Sequence, residues 1–215
     1  MSCHDHLEPV QLNRISAVSI LAGEHRVILQ VLDVLEALAQ ATIRDGRIPE
    51  LHARQVLEVL RTFADTCHHG KEEDILFPAL EALAPGFGPT QVMRAEHVDG
   101  RIHVKAMGAA VESALPAVYS LHALAYVDLL RQHIHKEDNI LFPMAQSMLS
   151  ATHDAELVAA FRVAEHDDVG SGTHERMLGI ADALADAYGI TRASADPQIF
   201  RLLMACCGCH LTNAP

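Results

Sequence analysis

The chain has 215 residues and a formal net charge of −12; half of its residues are apolar and only 4% are aromatic. A chain of this length forms one domain, or one domain with an appendage, and can fold without disulfides. The negative charge argues against nucleic acids and anionic membranes as partners. Few aromatic residues, with many Ala and Leu, favour helices packed by aliphatic side chains over a β-sandwich.

The first residues, MSCHDHLEPV, contain neither a basic region nor an apolar run, so they do not resemble a secretory signal. No stretch reaches the roughly 18 apolar residues that a membrane span needs. The cysteines are odd in number and clustered at one end, which argues against a disulfide framework. These features predict a cytoplasmic protein.

Apolar periodicity predicts four long helices, at about residues 18–42, 50–83, 91–114 and 116–142. Pro116 is expected in the first turn of the fourth helix. Pro78 and Pro143 lie inside the second and fourth patterns, and each is expected to kink or end its helix. The short connections predict an all-α, up-down-up-down four-helix bundle over residues 16–148. Residues 149–215 are predicted to form a helical extension, with helices at about 153–166 and 173–188 and a cysteine-rich tail.

The sequence KEEDILFP at residues 71–78 returns as KEDNILFP at residues 136–143. In both copies a His lies three residues before the Lys, which produces the pairs His68/Glu72 and His133/Glu137. The dipeptide Glu-His also recurs, ending in His25 and in His97, early in the first helix of each copy. Residues 18–83 and 91–148 are therefore interpreted as two copies of a helical hairpin.

Residues four apart on a helix lie on the same face, so each pair directs one imidazole and one carboxylate the same way. Counting in threes and fours places His68, rather than His69, on the apolar side of its helix. The same count predicts that His133 faces the core and that His135 is exposed to solvent.

Glu72 and Glu137 would then both be buried and would face each other, at a cost of several kcal/mol each unless a cation neutralises them. A single His-x-x-x-Glu is more often a helix salt bridge than a ligand pair. Two copies in register, with His25 and His97 at matching places, favour a metal site. Four imidazoles and two carboxylates suit two iron ions, and also manganese or zinc. Each Glu could bridge both ions, and each ion would take two His, leaving positions for water, hydroxide or a diatomic ligand.

These motifs resemble those of hemerythrin-like proteins, the HHE cation-binding family. The resemblance rests on Glu24-His25, on HHGKEE with LFP following, on Glu96-His97, and on HIHKE with LFP following. It covers about residues 18–148 and implies a four-helix bundle that holds an oxo- or hydroxo-bridged di-iron centre. The ligands that it implies are His25, His68, Glu72, His97, His133 and Glu137.

The chain departs from the oxygen-carrying hemerythrins at one ligand. Those proteins have a further His one turn after the third-helix His, whereas here that position is Arg101, and His103 points about 200° away from it. The sequence therefore predicts a more symmetric and more open site than that of a reversible oxygen carrier.

Three functions are compatible with such a site. The first is a di-iron protein that binds or senses O2 or NO. The second is an oxidoreductase that reduces NO or decomposes peroxide, with a redox partner protein or the C-terminal thiols as the electron source. The third is an iron store or donor. Neither a nucleic acid nor a membrane is expected as a partner.

The tail contains a candidate accessory thiol or metal site made of Cys206, Cys207, Cys209 and His210. Its C-x-x-C-H pattern also matches covalent haem attachment, but that chemistry is disfavoured in a cytoplasmic chain. Cys67 is interpreted as a packing residue. The dipeptides Glu165-His166 and His174-Glu175 lack a partner four residues away and are interpreted as solvated or capping residues, with an accessory metal as the lesser alternative.

Overall fold

The computed structural model describes residues 15–170 and 172–204, and every regular element among them is helical. The α-helices are α1 (Ala17–Asp45), α2 (Glu50–Val59), α3 (Phe77–Leu83), α4 (Pro89–Glu112), α5 (Pro116–Lys136), α6 (Phe142–Met148), α7 (Ala151–Ala164), α8 (Thr173–Tyr188) and α9 (Pro197–Met204). Four segments have the wider π-helical hydrogen bonding, namely π1 (Leu60–His69), π2 (Glu72–Leu76), π3 (Glu137–Leu141) and π4 (Glu165–Val169). A short 3₁₀ turn spans Ala193–Ala195. The predicted all-α class is confirmed for these residues.

Four helical rods carry the sequence motifs. Rod 1 is α1, rod 2 runs without a break over residues 50–83, rod 3 is α4, and rod 4 runs over residues 116–148. Rod 3 packs along rod 4, rod 1 packs against rod 4, and α2 of rod 2 contacts both rod 1 and rod 3. This packing is compatible with the predicted bundle.

Local capping explains where rod 1 begins and ends. The Ser16 side chain accepts a hydrogen bond from the Ser19 backbone N–H, and the Ser19 side chain bonds the Ser16 N–H in return. At the other end Gly46 adopts φ +64°, a left-handed conformation that glycine accepts without a steric penalty. Pro116 lies in the first turn of α5 as predicted, where its missing N–H has no helical partner to lose.

The two internal prolines neither end their rods nor interrupt the helical backbone. Each follows a π-helical segment, in which the Phe77 N–H bonds the Glu72 carbonyl five residues earlier and the Phe142 N–H bonds the Glu137 carbonyl. Pro78 cannot bond the Glu73 carbonyl in this register, and that carbonyl accepts a hydrogen bond from Arg94 instead (2.9 Å). Of the two expected outcomes, a kink or an end, the helices do not end at these prolines.

Two apolar clusters fill the interior. One contains Leu35, Leu57 and Met107, and the other contains Leu21 and Phe77. Along rods 1, 2 and 3 the predicted ligands lie between residues of one cluster and residues of the other, and on rod 4 they lie where one cluster passes into the other. The sequence thus embeds a layer of polar side chains inside apolar surroundings, where unpaired charge is costly.

The C-terminal helices complete both clusters. Phe161 of α7 joins one cluster, and Met177 and Leu184 of α8 join the other. α9 lies so close to rod 1 that a Cβ atom on Gly23 would be 2.9 Å from Leu202. In the described part of the chain, no helix combines the length and the apolar character that crossing a membrane requires.

Candidate metal centre

All six ligands implied by the motifs are buried, each at most 1% exposed, and the four rods bring them together. Two overlapping groups of donor atoms result, and within each group the atoms lie within 4.8 Å of one another. The first group contains His25, His68, Glu72 and Glu137. The second group contains His69, Glu72, His97 and His133. Glu72 belongs to both groups, so its carboxylate lies between two potential ions.

Both carboxylates contact imidazoles of both groups. Glu72 Oε1 is 3.6 Å from His68 Nε2, and its Oε2 is 3.5 Å from His97 Nε2. Glu137 Oε2 is 3.2 Å from His25 Nε2 and also 3.2 Å from His133 Nε2. This placement is what two carboxylates that bridge a pair of ions require.

The centre contains buried polar atoms that the protein leaves unsatisfied. All four carboxylate oxygens of Glu72 and Glu137, and Nε2 of His25, lack a hydrogen-bond partner. His25 Nε2 lies close to Glu137, but the pair does not have hydrogen-bond geometry. Leaving such groups unsatisfied costs about 1–3 kcal/mol each, and more when they are charged. Cations held between these atoms would satisfy all of them, so the donors fit a metal centre.

Without a metal the two carboxylates cannot share the same charge state. Burial and the neighbouring Glu137 raise the pKa of Glu72 well above its usual value. Burial also raises the pKa of Glu137, but His133 and His25 outweigh that effect and lower it well below its usual value. Burial lowers the pKa of His133, yet Glu137 and Glu96 more than compensate and raise it to about 9. These opposite shifts favour the neutral form of Glu72 and the ionised form of Glu137 beside His133.

Five histidines of the centre direct Nδ1 at a carboxylate and so present Nε2 to the interior. The pairs are His25–Asp138 (2.7 Å), His68–Glu24 (2.9 Å), His69–Asp65 (3.4 Å), His97–Glu73 (2.7 Å) and His133–Glu96 (2.9 Å). A metal-bound imidazole characteristically donates its second N–H to such a partner, which fixes the tautomer and the ring orientation. The structure therefore contains ligands and their supporting carboxylates.

Sequence reasoning missed these supporting carboxylates, although the duplication contains a signal for them. Glu24 and Glu96 precede the first-helix histidines at equivalent positions, and each holds the His of its own copy's second helix. Each also pairs with a lysine, Lys71 (2.5 Å) and Lys136 respectively. The duplication thus repeats a carboxylate and a lysine in addition to the ligands. This repetition indicates that the carboxylate orients the histidine in both copies.

His69 lies inside the centre, so the prediction that it faces away from the core is wrong. It is 4% exposed, and its ring stacks on that of His97 with 3.8 Å between centroids. An α-helix turns about 100° per residue, which would direct neighbouring histidines to different faces. His68 and His69 lie in π1, where a turn contains more residues and the angle between neighbours is smaller. Both rings therefore reach the interior.

Arg101 supports ligands from outside the centre. Its Nε donates to Asp65 (2.8 Å) and its Nη2 donates to Glu73 (2.9 Å), the carboxylates that orient His69 and His97. His69 adds an imidazole to the second group of donors. The candidate donors are therefore three imidazoles in one group and two in the other, whereas the sequence predicted two imidazoles for each ion.

A cavity of about 250 Å³ reaches this side of the centre, between π1 and α4. His69, His97, Arg101 and Tyr126 are among its lining residues. Gly100 also lines it, and a Cβ atom there would lie 3.3 Å from the Tyr126 ring. Only the rings of His69 and His97 therefore separate this cavity from the donor atoms of the centre.

The variant His69→Phe tests the fifth imidazole. Phenylalanine preserves the ring that stacks on His97 but removes the donor nitrogen, so we expect one ion to be retained and the other to bind at least about 100-fold more weakly. Metal content after dialysis against graded chelator measures this loss. His135→Phe, at an exposed position on rod 4, is the matched control. Two ions held as tightly as in the parent chain would remove His69 from the centre.

The Hemerythrin HHE cation binding domain matches residues 16–145, which are more than half of the chain and include all of rods 1 to 3 and most of rod 4. The chain belongs to the hemerythrin HHE cation-binding family. The family that the motifs resemble is thus confirmed, and with it the general role of the domain in binding cations.

Similar proteins include uncharacterized proteins of Mycobacterium bovis and Mycobacterium tuberculosis. They are 26% identical to this chain over 184 residues, which cover 83% of this chain and 71% of each of theirs. A probable iron-sulfur cluster repair protein of Haemophilus influenzae is 33% identical over 99 residues, which cover 41% of this chain and 44% of that protein. No solved structure matches this chain.

Outside the centre, two predictions about polar residues are wrong. Glu165 and His174, interpreted as solvated or capping residues, are 5% and 2% exposed and contact Cys67. Cys67 is buried as expected, but it has polar partners that simple packing does not require. The predicted accessory site in the tail, at Cys206, Cys207, Cys209 and His210, lies outside the described residues.

Proposed function

We propose that this protein holds two iron ions between its four rods, arranged as an up-down-up-down bundle, and binds or senses O2 or NO there. The observation that carries the proposal is the set of four unpartnered oxygens of Glu72 and Glu137, facing five imidazole Nε2 atoms. Iron, when bound, supplies the redox chemistry by which a diatomic ligand is taken up. Manganese and zinc suit similar donors.

Two observations support iron. The donors are imidazoles and carboxylates, and within the two groups no thiolate takes part, a set typical of non-haem iron. The Haemophilus influenzae relative is named a probable iron-sulfur cluster repair protein, and that name concerns iron handling.

Unequal donor groups suggest where an external ligand binds. The group of His69, His97 and His133 offers three imidazoles, whereas the group of His25 and His68 offers two. The ion with fewer imidazoles has more room for an external ligand, as a reactive site requires. O2 or NO would then bind at the ion that His25 and His68 hold.

The residues of this chain contribute orientation and exclusion of water. The carboxylates at each Nδ1 hold the imidazoles in one tautomer, so that binding or release of a small ligand does not require the rings to turn. The two apolar clusters above and below the layer keep bulk water away from it. A neutral diatomic molecule crosses such surroundings more readily than an ion does.

Metal analysis and the absorption spectrum of the protein purified in air test the proposal. We expect two iron ions per chain and near-ultraviolet bands of a bridged diferric centre. Reduced protein should change its spectrum on addition of O2 or NO and recover on degassing. A colourless protein that contains zinc would contradict the proposal.

The same samples separate the two other functions. Multiple turnovers of NO or peroxide per centre would identify an oxidoreductase. Rapid transfer of iron to an apo-acceptor would identify an iron donor. His135→Ala, which alters only an exposed residue, should behave as the parent chain in every assay.

A further inference from the structure

A second cluster of metal-binding side chains lies beside the metal centre. Cys67, Glu165 and His174 are all buried, and one donor atom from each, with one from Glu24, forms a group within 4.8 Å. Cys67 Sγ is 3.3 Å from Glu165 Oε2 and 4.0 Å from His174 Nδ1. Glu165 Oε1 is 2.5 Å from His174 Nδ1. Thiol, imidazole and carboxylate together are a donor set that zinc and other borderline cations prefer.

A lysine ammonium provides the positive charge of this cluster. Lys71 Nζ lies 2.5 Å from Glu24, 2.7 Å from Glu165 and 3.1 Å from Cys67 Sγ. The cluster therefore contains a cation position enclosed by two carboxylates and a thiol.

The equivalent lysine in the second copy of the hairpin, Lys136, has simpler surroundings than Lys71. Lys136 pairs with Glu96 as Lys71 pairs with Glu24, but Gln132 occupies the place that corresponds to Cys67. Lys136 remains about one-third exposed, whereas Lys71 is 1% exposed. A lysine can therefore pair with its glutamate without Cys67, Glu165 or His174. These three side chains surround only the lysine of the first copy.

A cavity of about 400 Å³ opens onto this cluster. Cys67, Lys71 and Glu165 line it, together with Gly70 and Asp74. It gives a cation a path from solvent. It also has room for the Lys71 side chain, whose flexible stem can direct the ammonium into the cavity.

We propose that this cluster is a mononuclear metal site for a divalent cation of the zinc type. The ligands are Cys67 Sγ, His174 Nδ1 and one oxygen each from Glu165 and Glu24. Lys71 turns into the cavity as the ion enters, so that the ion replaces the ammonium between Glu24, Glu165 and the Cys67 sulfur.

The distances suit this assignment. With metal–ligand bonds of about 2.0–2.3 Å, the donors of a tetrahedral site lie about 3.3–3.7 Å apart. The Cys67–Glu165 separation already fits. Cys67 and His174 approach by a few tenths of an ångström, and the Glu165–His174 contact opens by about 1 Å.

Cobalt(II) alone is the probe, because a thiolate ligand gives it a charge-transfer band that imidazole and carboxylate ligands do not give. The experiment uses the full chain with every other cysteine replaced by Ser, that is, Cys3, Cys206, Cys207 and Cys209. We expect three cobalt ions per chain and a near-ultraviolet thiolate band. In the matched variant that also contains Cys67→Ser, we expect two ions and no such band. His174→Gln should weaken the band with little change at the centre.

Two results would overturn the assignment. The first is absence of the thiolate band from the chain that retains only Cys67. The second is a Lys71→Ala chain that binds the third ion no more tightly than its parent, because the ammonium and the ion should compete. Neither result depends on the di-iron proposal. If that proposal failed, the Cys67→Ser variant would not bind the two ions expected at the main centre.

Discussion

Replacement of Glu72 by Gln should reduce bound metal from two ions per chain to well below one. Glu72 has one oxygen near His68 and the other near His97, so its loss weakens both ions together. Gln has nearly the same shape but provides only a neutral carbonyl oxygen. Metal analysis by mass spectrometry after gel filtration measures the loss.

The same variant should gain stability once metal is removed. In the metal-free chain, Glu72 is a buried carboxyl group without hydrogen-bond partners, and its ionisation is opposed by Glu137. A neutral amide avoids that charge, so we expect metal-free Glu72→Gln to unfold with a free energy about 1–3 kcal/mol higher than that of the metal-free parent at pH 9.

The half-buried Glu58, in α2 of the same rod, pairs with Arg176 away from the centre and provides the control. Glu58→Gln should retain two ions and leave the metal-free stability unchanged within about 0.5 kcal/mol. Two ions bound normally by Glu72→Gln would refute the bridging role assigned to this carboxylate.

Removal of the metal should also make stability depend on pH above neutrality. The folded-state pKa of His133 is about 9, above its ordinary value of 6.5. A raised pKa of this kind contributes stability that is complete below pH 6.5 and is lost as pH rises through 9. The shift corresponds to a loss on the order of 3 kcal/mol.

Glu72 acts in the same direction. Its folded-state pKa lies well above 4.5, so the folded protein is penalised progressively as pH rises and this carboxyl group ionises. Below pH 6.5 the trend reverses, because burial lowers the pKa of His68 to about 4 and that of His97 further still. The metal-free protein should thus be most stable near pH 6.5.

Urea denaturation of chelator-treated protein at pH 6.5 and pH 9 measures this effect. The metal-loaded protein should show a much smaller difference between the two pH values, because bound cations keep the imidazoles neutral and the carboxylates ionised. Equal pH dependence with and without metal would show that the buried groups of the centre do not titrate as proposed.

Much of the architecture could be predicted from the order of residues. The periodic apolar positions located all four rods, and helix α8 has the predicted bounds, Thr173–Tyr188. The duplicated motifs alone pointed to six donors that prove to be buried together in the centre. They succeed because contacts between residues i and i+4 are local, and because a repeated motif reports two equivalent environments at once.

The packing of the rods decided the rest. Three features could not be obtained by counting residues: the inward position of His69, the carboxylates that support each imidazole, and the cluster of Cys67 with Glu165 and His174. The first depends on π-helical hydrogen bonding, which changes the angle between neighbouring side chains without any change in sequence spacing. The others join side chains that are distant along the chain, such as Cys67 and Glu165, 98 residues apart. Helical periodicity determines on which face of its helix a residue lies. Only the packing of the rods determines which side chains of other helices that residue contacts.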